Sequence, residues 1–180
     1  MTTEVAPSFR QIMESADDEA VVVAEDIEFD GVVAEVWDKY PDVQYYAAFL
    51  QPGIIGQIQA FVDRHVPPHL MRRLKSQPLH ITISHRRNTG TPEVCDYVRS
   101  HFDTEVQVTL TRLVVTQDIA YFEARVPFPV ATGRPHMTVR LAEGVSPTHA
   151  LEVDANKAAK VEECEFVSPA RIQAWSFSQE

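Results

Sequence analysis

The sequence predicts a single α+β domain, and three observations lead to that fold class. A chain of 180 residues is long enough to bury one good core and short for two. Apolar residues make up 44% of the chain and charged residues 23%, which is usual for a globular protein. Segments with strand patterns and segments with helix patterns follow one another. We therefore expect one domain over residues 31–180, after an acidic N-terminal extension over residues 1–30.

The N-terminal part of the chain predicts one core strand and one helix. The extension is acidic around a short apolar run at 21–24, which is enough for at most one strand. Residues 43–50 are apolar and aromatic and are followed by Pro52, which predicts a buried strand and its exit turn. Apolar residues then recur at helical spacing over 54–65 and predict a helix that packs on a sheet.

The remainder of the chain predicts further strands and helices in turn. Thr91 suits the N-cap of the first of these helices, and Pro92 suits its first turn. The strands read as runs of β-branched and aromatic residues bounded by turn residues. The predicted strands cover 79–84, 106–110, 112–115, 119–126, 136–141 and 171–177, and the predicted helices cover 93–102 and 147–159.

The charge distribution limits the class of partner. The net charge is −10, yet residues 64–140 carry eleven Arg or Lys against six acids, so the middle is basic and the ends are acidic. One interpretation is that these charges are simply solvated wherever the fold exposes them. A protein that coats long RNA or DNA is disfavoured, because such binding depends on many cations. A small nucleotide or a single nucleic-acid end remains compatible.

The two cysteines and the hydropathy pattern exclude other classes. Cys95 and Cys164 lie far apart without the spacing of a zinc knuckle, and they do not indicate a disulfide framework. No apolar run approaches the roughly 20 residues that a membrane helix needs, and the N-terminus lacks the pattern of a secretory signal. We expect a cytoplasmic monomer with no membrane partner.

Two strand-like segments repeat the same pattern of side chains. Each has a proline one or two places before a histidine, and each continues as His, apolar, Thr, apolar. Side chains alternate between the faces of a strand, so histidine and threonine point to one side while the apolar residues enter the core. The predicted shared faces are His80, Thr82 and Ser84 in the first strand, and His136, Thr138 and Arg140 in the second.

These residue types suit phosphodiester hydrolysis without a metal. Such a reaction needs a base for water, an acid for the leaving oxygen and hydrogen-bond donors for the phosphoryl oxygens. Near pH 7 one histidine can be neutral and the other protonated, because the ordinary pKa is about 6.5. Threonine hydroxyls are held by a stiff χ1. Neither segment has a nearby carboxylate or thiolate for zinc, so we expect no metal and no cofactor.

Several residues keep more than one interpretation at this stage. Both histidines can also be read as satisfied core or rim residues. Arg140 is a candidate phosphate contact or a surface salt bridge, and His85 should point away from His80 and have a structural role. Arg86 and Arg87 are interpreted as loop cations. The pair at 45–46 is read either as a stack for a nucleobase or as core.

The segments 79–86 and 135–139 resemble the paired HxT motifs of the 2H phosphoesterase superfamily. The phosphodiesterase domain of fungal-type tRNA ligases is the most similar branch, on segments 108–126 and 144–147 as well, and the resemblance covers about 43–155. It implies a bilobal fold with two antiparallel sheets related by a pseudo-twofold and with helices on the outside. It also implies opening of a 2′,3′-cyclic phosphate on an RNA 3′ end or small nucleotide, leaving a 2′-phosphate and a free 3′-hydroxyl.

The resemblance assigns roles residue by residue. His80 and His136 would form the acid–base pair, in an order that stays open, and Thr82 and Thr138 would contact the phosphate. The chain has no GxxxxGK[ST] loop and no KxDG motif, so sealing and phosphorylation are not expected. Thr148-His149 stands where the ligase branch has Ser-Asn. A hydrolase of cyclic oligonucleotide messengers and a non-catalytic nucleotide-binding module remain as alternatives.

Overall fold

A computed structural model describes residues 34–176, and the acidic extension with its predicted strand lies outside the described residues. A short π-helical turn, Ala34–Asp38, precedes the first strand. The strands are β1 (Val43–Leu50), β2 (Lys75–Ser76), β3 (His80–His85), β4 (Glu105–Val115), β5 (Ile119–Arg125), β6 (His136–Leu141) and β7 (Lys160–Ser176). The helices are α1 (Pro52–His65), α2 (Pro68–Arg73) and α3 (Pro92–His101), with 3₁₀ turns at Pro147–Leu151 and Ala155–Lys157.

The seven strands form one antiparallel sheet in the order β2-β6-β5-β4-β7-β1-β3. Four strands separate β3 from β6 in this order, yet the two strands have Cα atoms within 8 Å of each other. The sheet therefore bends back on itself, as a strongly twisted sheet can, and brings the two motif strands together. The α+β class is confirmed. The arrangement of the strands as two sheets related by a pseudo-twofold stays a prediction.

The helices cover the apolar side of this sheet. Ile58 and Val62 of α1 and Val94 and Val98 of α3 are buried in the same core cluster as the inward residues of the strands. Helical spacing puts each pair on one face, which is why the periodicity in the sequence marks these segments correctly. Pro67 ends the first helix as predicted, and Pro68 begins the short α2, where its missing N–H costs nothing.

Both motif strands carry a β-bulge one residue after the threonine. In β3, Thr82 pairs with Ala47 and Ser84 with Tyr46 of β1, so Ile83 is the extra residue. In β6 the register shifts at the same place, between the partners of Thr138 and Arg140. A bulge adds one residue to one strand, so the alternation of faces reverses beyond it. The simple alternation predicted from sequence therefore holds only up to each threonine.

This reversal corrects two predictions about β3. Ser84 was expected beside His80, but it is fully buried, and its hydroxyl donates to the Thr89 carbonyl over 2.8 Å. His85 was expected on the opposite face, but its ring stacks with Tyr45, which also stacks with His80. Strand alternation alone gave the wrong face for both residues, because it assumed a regular ladder.

The predicted helix over 147–159 is wrong. The segment forms only the two 3₁₀ turns, and the side chain of Asp154 accepts a hydrogen bond from the Asn156 N–H over 3.0 Å. Such a local side-chain bond offers the backbone an alternative to helix and stops its propagation. The chain then enters β7 at Lys160, eleven residues before the predicted closing strand.

The other strand predictions hold with small changes of boundary. The bounds of β1 and β6 agree with the predicted strands, whereas β4 is one strand with a bulge where two were predicted. Thr91 does occupy the N-cap of α3, although its side chain makes no capping hydrogen bond. Neither the short α2 nor the short β2 was predicted from the sequence.

Candidate active site

The approach of β3 to β6 creates a cavity of about 50 Å³. Both predicted histidines and both predicted threonines line it. The sheet thus brings together two His–Thr pairs that are far apart in the sequence. His80 and His136 are 56 residues apart, and so are Thr82 and Thr138. The complete lining is Gln77, Pro78, His80, Thr82, His136, Thr138 and Pro147.

The alternate residues of each strand hold these side chains in place. Ile81 and Ile83 in β3, and Met137 in β6, are fully shielded from solvent, and Val139 is nearly so. Burial of such a side chain stabilises the fold by about 1.5–3 kcal/mol, so the strands have little freedom to rotate about their axes. The histidine and threonine of each strand therefore point steadily into the cavity.

His136 is oriented by a hydrogen bond to the backbone. Its Nδ1 lies 3.0 Å from the carbonyl oxygen of Arg134, which fixes the proton on Nδ1 and leaves Nε2 as the other functional nitrogen. Burial lowers the pKa of His136, and the nearby Arg134 guanidinium lowers it as well, while the carbonyls of Arg134 and Pro147 oppose this shift. Those carbonyls favour the protonated imidazolium.

His80 has a drier and less polar environment. Burial lowers the pKa of His80 to about 4, the Pro78 backbone opposes this, and the charge of His136 lowers it further. Its Nδ1 is buried and has no hydrogen-bond partner among residues 34–176. His80 is therefore neutral at pH 7.

A second polar atom of the site is also without a partner. The hydroxyl oxygen of Thr138 is buried and makes no hydrogen bond within the described part of the chain. Buried polar groups are nearly always satisfied, because leaving one unsatisfied costs about 1–3 kcal/mol. The residues that carry the two unsatisfied atoms, His80 and Thr138, line the same cavity.

Aromatic rings surround His80 on the sheet surface. Tyr45 stacks on its imidazole at a centroid distance of 4.8 Å, and Phe49 lies at 5.5 Å. Sequence reasoning grouped Tyr45 with Tyr46, but Tyr46 is core, and its hydroxyl donates to the Val36 carbonyl. Phe49 was missed, although Tyr45 and Phe49 are four residues apart in one strand and so share a face.

Arg140 is not brought to the cavity with the other four residues. The bulge turns it to the side of Val139, where its guanidinium donates to the carbonyls of Met71 and Leu74 at the end of α2. Both Val139 and Arg140 line a separate cavity of about 240 Å³, which adjoins the histidine cavity through Gln77. A cation at a helix C-terminus satisfies orphan carbonyls and suits the helix dipole.

Arg86 likewise has a structural position. Its guanidinium donates to the carbonyls of Val43 and Tyr40 and lies 5.1 Å from the ring centroid of Trp37.

Among residues 34–176, no group of three or more His, Cys, Asp or Glu side chains is arranged to hold a metal ion. No helix in that range is both long and apolar enough to span a membrane.

A comparison with protein-family models finds no match, and a comparison with curated protein sequences finds none either. The fold is similar to a solved structure described as a fungal RNA kinase, with a TM-score of 0.56 and 10% sequence identity. The match covers 76% of this chain and 46% of the other, so it spans less than half of that protein's length. At this identity the likeness shows a shared fold.

Proposed function

We propose that this protein is a metal-independent 2′,3′-cyclic phosphodiesterase that opens cyclic phosphates on RNA ends or nucleotides. The observation that carries the proposal is the single cavity lined by His80, Thr82, His136 and Thr138. A cavity lined by two imidazoles and two hydroxyls offers the groups that a tetrahedral anion needs. The proposed product is a 2′-phosphate with a free 3′-hydroxyl.

The fold comparison supports an RNA-related setting for this site. The similar solved structure is described as an RNA kinase from a fungus. Resemblance of the two HxT segments to the phosphodiesterase domain of fungal-type tRNA ligases points the same way. Fold does not by itself imply function, so the weight of the proposal rests on the cavity.

The size of the cavity fits the phosphate rather than a whole nucleotide. Its volume of about 50 Å³ is well below the roughly 300–1,000 Å³ of pockets that enclose a complete small molecule. The phosphoryl group would therefore enter the cavity while the nucleoside stays outside. Such a site accepts a mononucleotide and an RNA 3′ end alike.

The reaction follows from the positions of the two imidazoles. Water attacks the phosphorus in line with the bond to the 3′ oxygen, and one histidine accepts a proton from that water. The P–O3′ bond breaks, and the other histidine donates its proton to the departing 3′ oxygen. The hydroxyls of Thr82 and Thr138 donate to the phosphoryl oxygens, where negative charge increases in the transition state.

We assign His80 as the base and His136 as the acid. The pKa of His80 is lowered to about 4, so its neutral form is available to accept a proton. Burial lowers the pKa of His136 as well, but the backbone carbonyls of Arg134 and Pro147 oppose this shift. In the singly protonated pair the proton therefore resides mainly on His136, which is the acid the leaving oxygen needs.

Incubation of the purified protein with EDTA and a substrate panel tests the proposal. The panel contains 2′,3′-cyclic mononucleotides, an oligonucleotide with a cyclic phosphate end and a cyclic oligonucleotide, and phosphorus NMR identifies the product. We expect a 2′-phosphate from the first two, and a loss of about 10²–10⁴-fold in His80→Ala and in His136→Ala. His69→Ala, on the exposed surface of α2, is the matched control and should retain activity.

Each other outcome selects an alternative. Turnover of the cyclic oligonucleotide alone would make the protein a hydrolase of such messengers. Binding of nucleotides without turnover between pH 4 and 8 would leave a non-catalytic binding module. Undiminished turnover in both histidine variants would overturn the assignment of the site.

A further inference from the structure

The two histidines of the cavity are held in different ways. His136 has a hydrogen bond from Nδ1 to the Arg134 carbonyl, which fixes the orientation of its ring. His80 interacts with the Pro78 backbone, which favours its charged form, but its buried Nδ1 has no partner at full hydrogen-bond geometry within the described residues. A catalytic imidazole needs a defined orientation, and in most sites a hydrogen bond to the second nitrogen supplies it. For His80, whose Nδ1 lacks such a bond, contacts with neighbouring rings can add to the interaction with Pro78.

Ring stacking is the contact that the structure offers. The Tyr45 ring lies nearly parallel to the imidazole of His80, with 17° between the planes and 4.8 Å between the centroids. Phe49 approaches the same imidazole at 5.5 Å and 36°. Offset parallel rings at these distances attract one another by about 0.5–1.5 kcal/mol beyond the area they bury.

Tyr45 is itself held from both sides. It lies on β1 between β3 and β7, and its cross-strand partners are His85 and Trp175. His85 stacks on it at 6.2 Å and 13°, and Trp175 at 5.8 Å and 12°. Phe49, four residues along the strand, stacks at 6.4 Å. A ring with this many parallel neighbours is a rigid support.

We propose that Tyr45 is a positioning residue for His80, acting through its ring and not through its hydroxyl. Its face fixes the plane of the imidazole and keeps water from one side of it. The imidazole of His80 then keeps one orientation towards the cavity. The catalytic consequence rests on the proposed function, whereas the positioning itself does not.

The charges around His80 define what its titration reports. The titratable groups that face it are Tyr45 on β1 and His136 on β6, with His85 of β3 behind Tyr45. Burial raises the pKa of Tyr45, so its hydroxyl stays neutral throughout the range in which histidines titrate. A change in the titration of His80 on altering Tyr45 therefore reports the loss of the ring and the entry of water.

The test compares Tyr45→Phe, which keeps the ring, with Tyr45→Leu and Tyr45→Met, which remove it. Histidine-labelled protein is titrated by NMR, and the His80 signal is assigned with His80→Gln. We expect Tyr45→Phe to titrate like wild type. In Tyr45→Leu and Tyr45→Met, the pKa of His80 should rise towards 6.5 and kcat/KM should fall by about 10-fold or more.

The outcomes separate this inference from the proposed function. An unchanged His80 titration in folded Tyr45→Leu or Tyr45→Met would overturn the positioning role. A shifted titration in protein that turns over no substrate would support positioning and contradict the phosphodiesterase proposal. Near-ultraviolet circular dichroism shows which of the two ring-removing variants is folded, and Phe49→Leu, which keeps Tyr45, should move the titration less.

Discussion

His80 and His136 stand in nearly identical sequence segments but have different chemical surroundings. His80 packs against the rings of Tyr45 and Phe49 and has no hydrogen-bond partner at Nδ1 among residues 34–176, whereas Nδ1 of His136 is bound to a backbone carbonyl. Burial dominates the pKa shift of both, and only His136 has two carbonyls that stabilise its charged form. The proposed division into base and acid follows from this difference.

The maximum of kcat/KM should lie at acidic pH. The active form of the free enzyme has one proton on the pair, so activity is limited below by His80, with a pKa of about 4, and above by His136, with a pKa below 6.5. We expect a bell-shaped profile with its maximum between these values. Initial rates on a 2′,3′-cyclic mononucleotide across pH 3.5–8.5 measure it. A maximum above pH 7 would contradict the assignment.

The hydroxyl of Thr138 should be needed for turnover more than for folding. It is buried without a partner among the described residues, so Thr138→Val removes an unsatisfied group and should leave stability unchanged or raise it. The same variant should lose about 10²-fold or more in kcat, because a donor to the phosphoryl oxygen is gone. Thr138→Ser, which keeps the hydroxyl, is the matched control. Kinetics and urea denaturation of the three proteins decide the point.

Arg140 should matter for stability and little for catalysis. Arg140→Leu leaves the carbonyls of Met71 and Leu74 without their charged donor, which should cost about 1–3 kcal/mol in the free energy of unfolding. Because the guanidinium is outside the histidine cavity, kcat/KM should change by less than about threefold. A large loss of kcat/KM with normal stability would instead restore Arg140 as a phosphate contact.

At the scale of elements, the bulges decide what reaches the cavity. Each motif strand sends its histidine and threonine inward and then reverses, so Ser84 enters the core and Arg140 turns to α2. The loop between β5 and β6 is attached to the first bulge, since the Ala131 N–H donates to the Ile83 carbonyl over 2.8 Å. The two motif strands are thus linked through this loop as well as by the approach of β3 to β6 at the cavity.

The loop after β3 depends on a glycine at this connection. Gly90 has a positive φ of 79°, and a Cβ there would lie 2.8 Å from the Cα and Cβ of Ala131. Gly133 has a similar φ of 73° but open space around it. Gly133→Ala should therefore cost about 1–2 kcal/mol for the left-handed backbone alone.

Gly90→Ala should cost at least about 1 kcal/mol more than Gly133→Ala, because it adds a backbone clash to the same conformational penalty. Thermal or urea unfolding of the two variants beside wild type measures the difference. Equal losses of stability in the two variants would mean that the structure accommodates the added Cβ at Gly90 beside Ala131 without a further penalty. The larger loss should be accompanied by reduced kcat/KM, since the contact joins the loop that follows β3 to the loop that precedes β6.

At the scale of the whole molecule, the buried site should make folding sensitive to acid. Between pH 6.5 and 4 the unfolded chain binds a proton at His80 that the folded protein does not, because the folded pKa is about 4. The free energy of unfolding should therefore decrease as the pH falls through this range. His80→Gln removes this contribution, so it should lose less stability than wild type between pH 7 and 4.5. Equal losses of stability in wild type and His80→Gln, measured by urea unfolding at each pH, would contradict this prediction.

The sequence by itself predicted the α+β class, the bounds of β1 and β6, and four of the side chains that line the cavity, His80, Thr82, His136 and Thr138. It could do so because hydrophobic period and turn residues are local signals. The range 160–170 of β7 was missed, although Cys164, Phe166 and Ser168 alternate with more exposed residues. Pro169 lies within that run, and proline is uncommon inside a strand that pairs on both sides.

Only the tertiary structure decided which neighbours those four side chains have. A bulge is a property of a strand pair, and no single strand shows it, so the faces of Ser84, His85 and Arg140 were unpredictable from alternation. The stack of Tyr45 on His80 likewise depends on β1 pairing with β3, which follows only after α1, α2 and β2. Residue type and spacing determined the chemistry that is available here, and strand pairing determined the orientation, burial and pKa of each group that carries it.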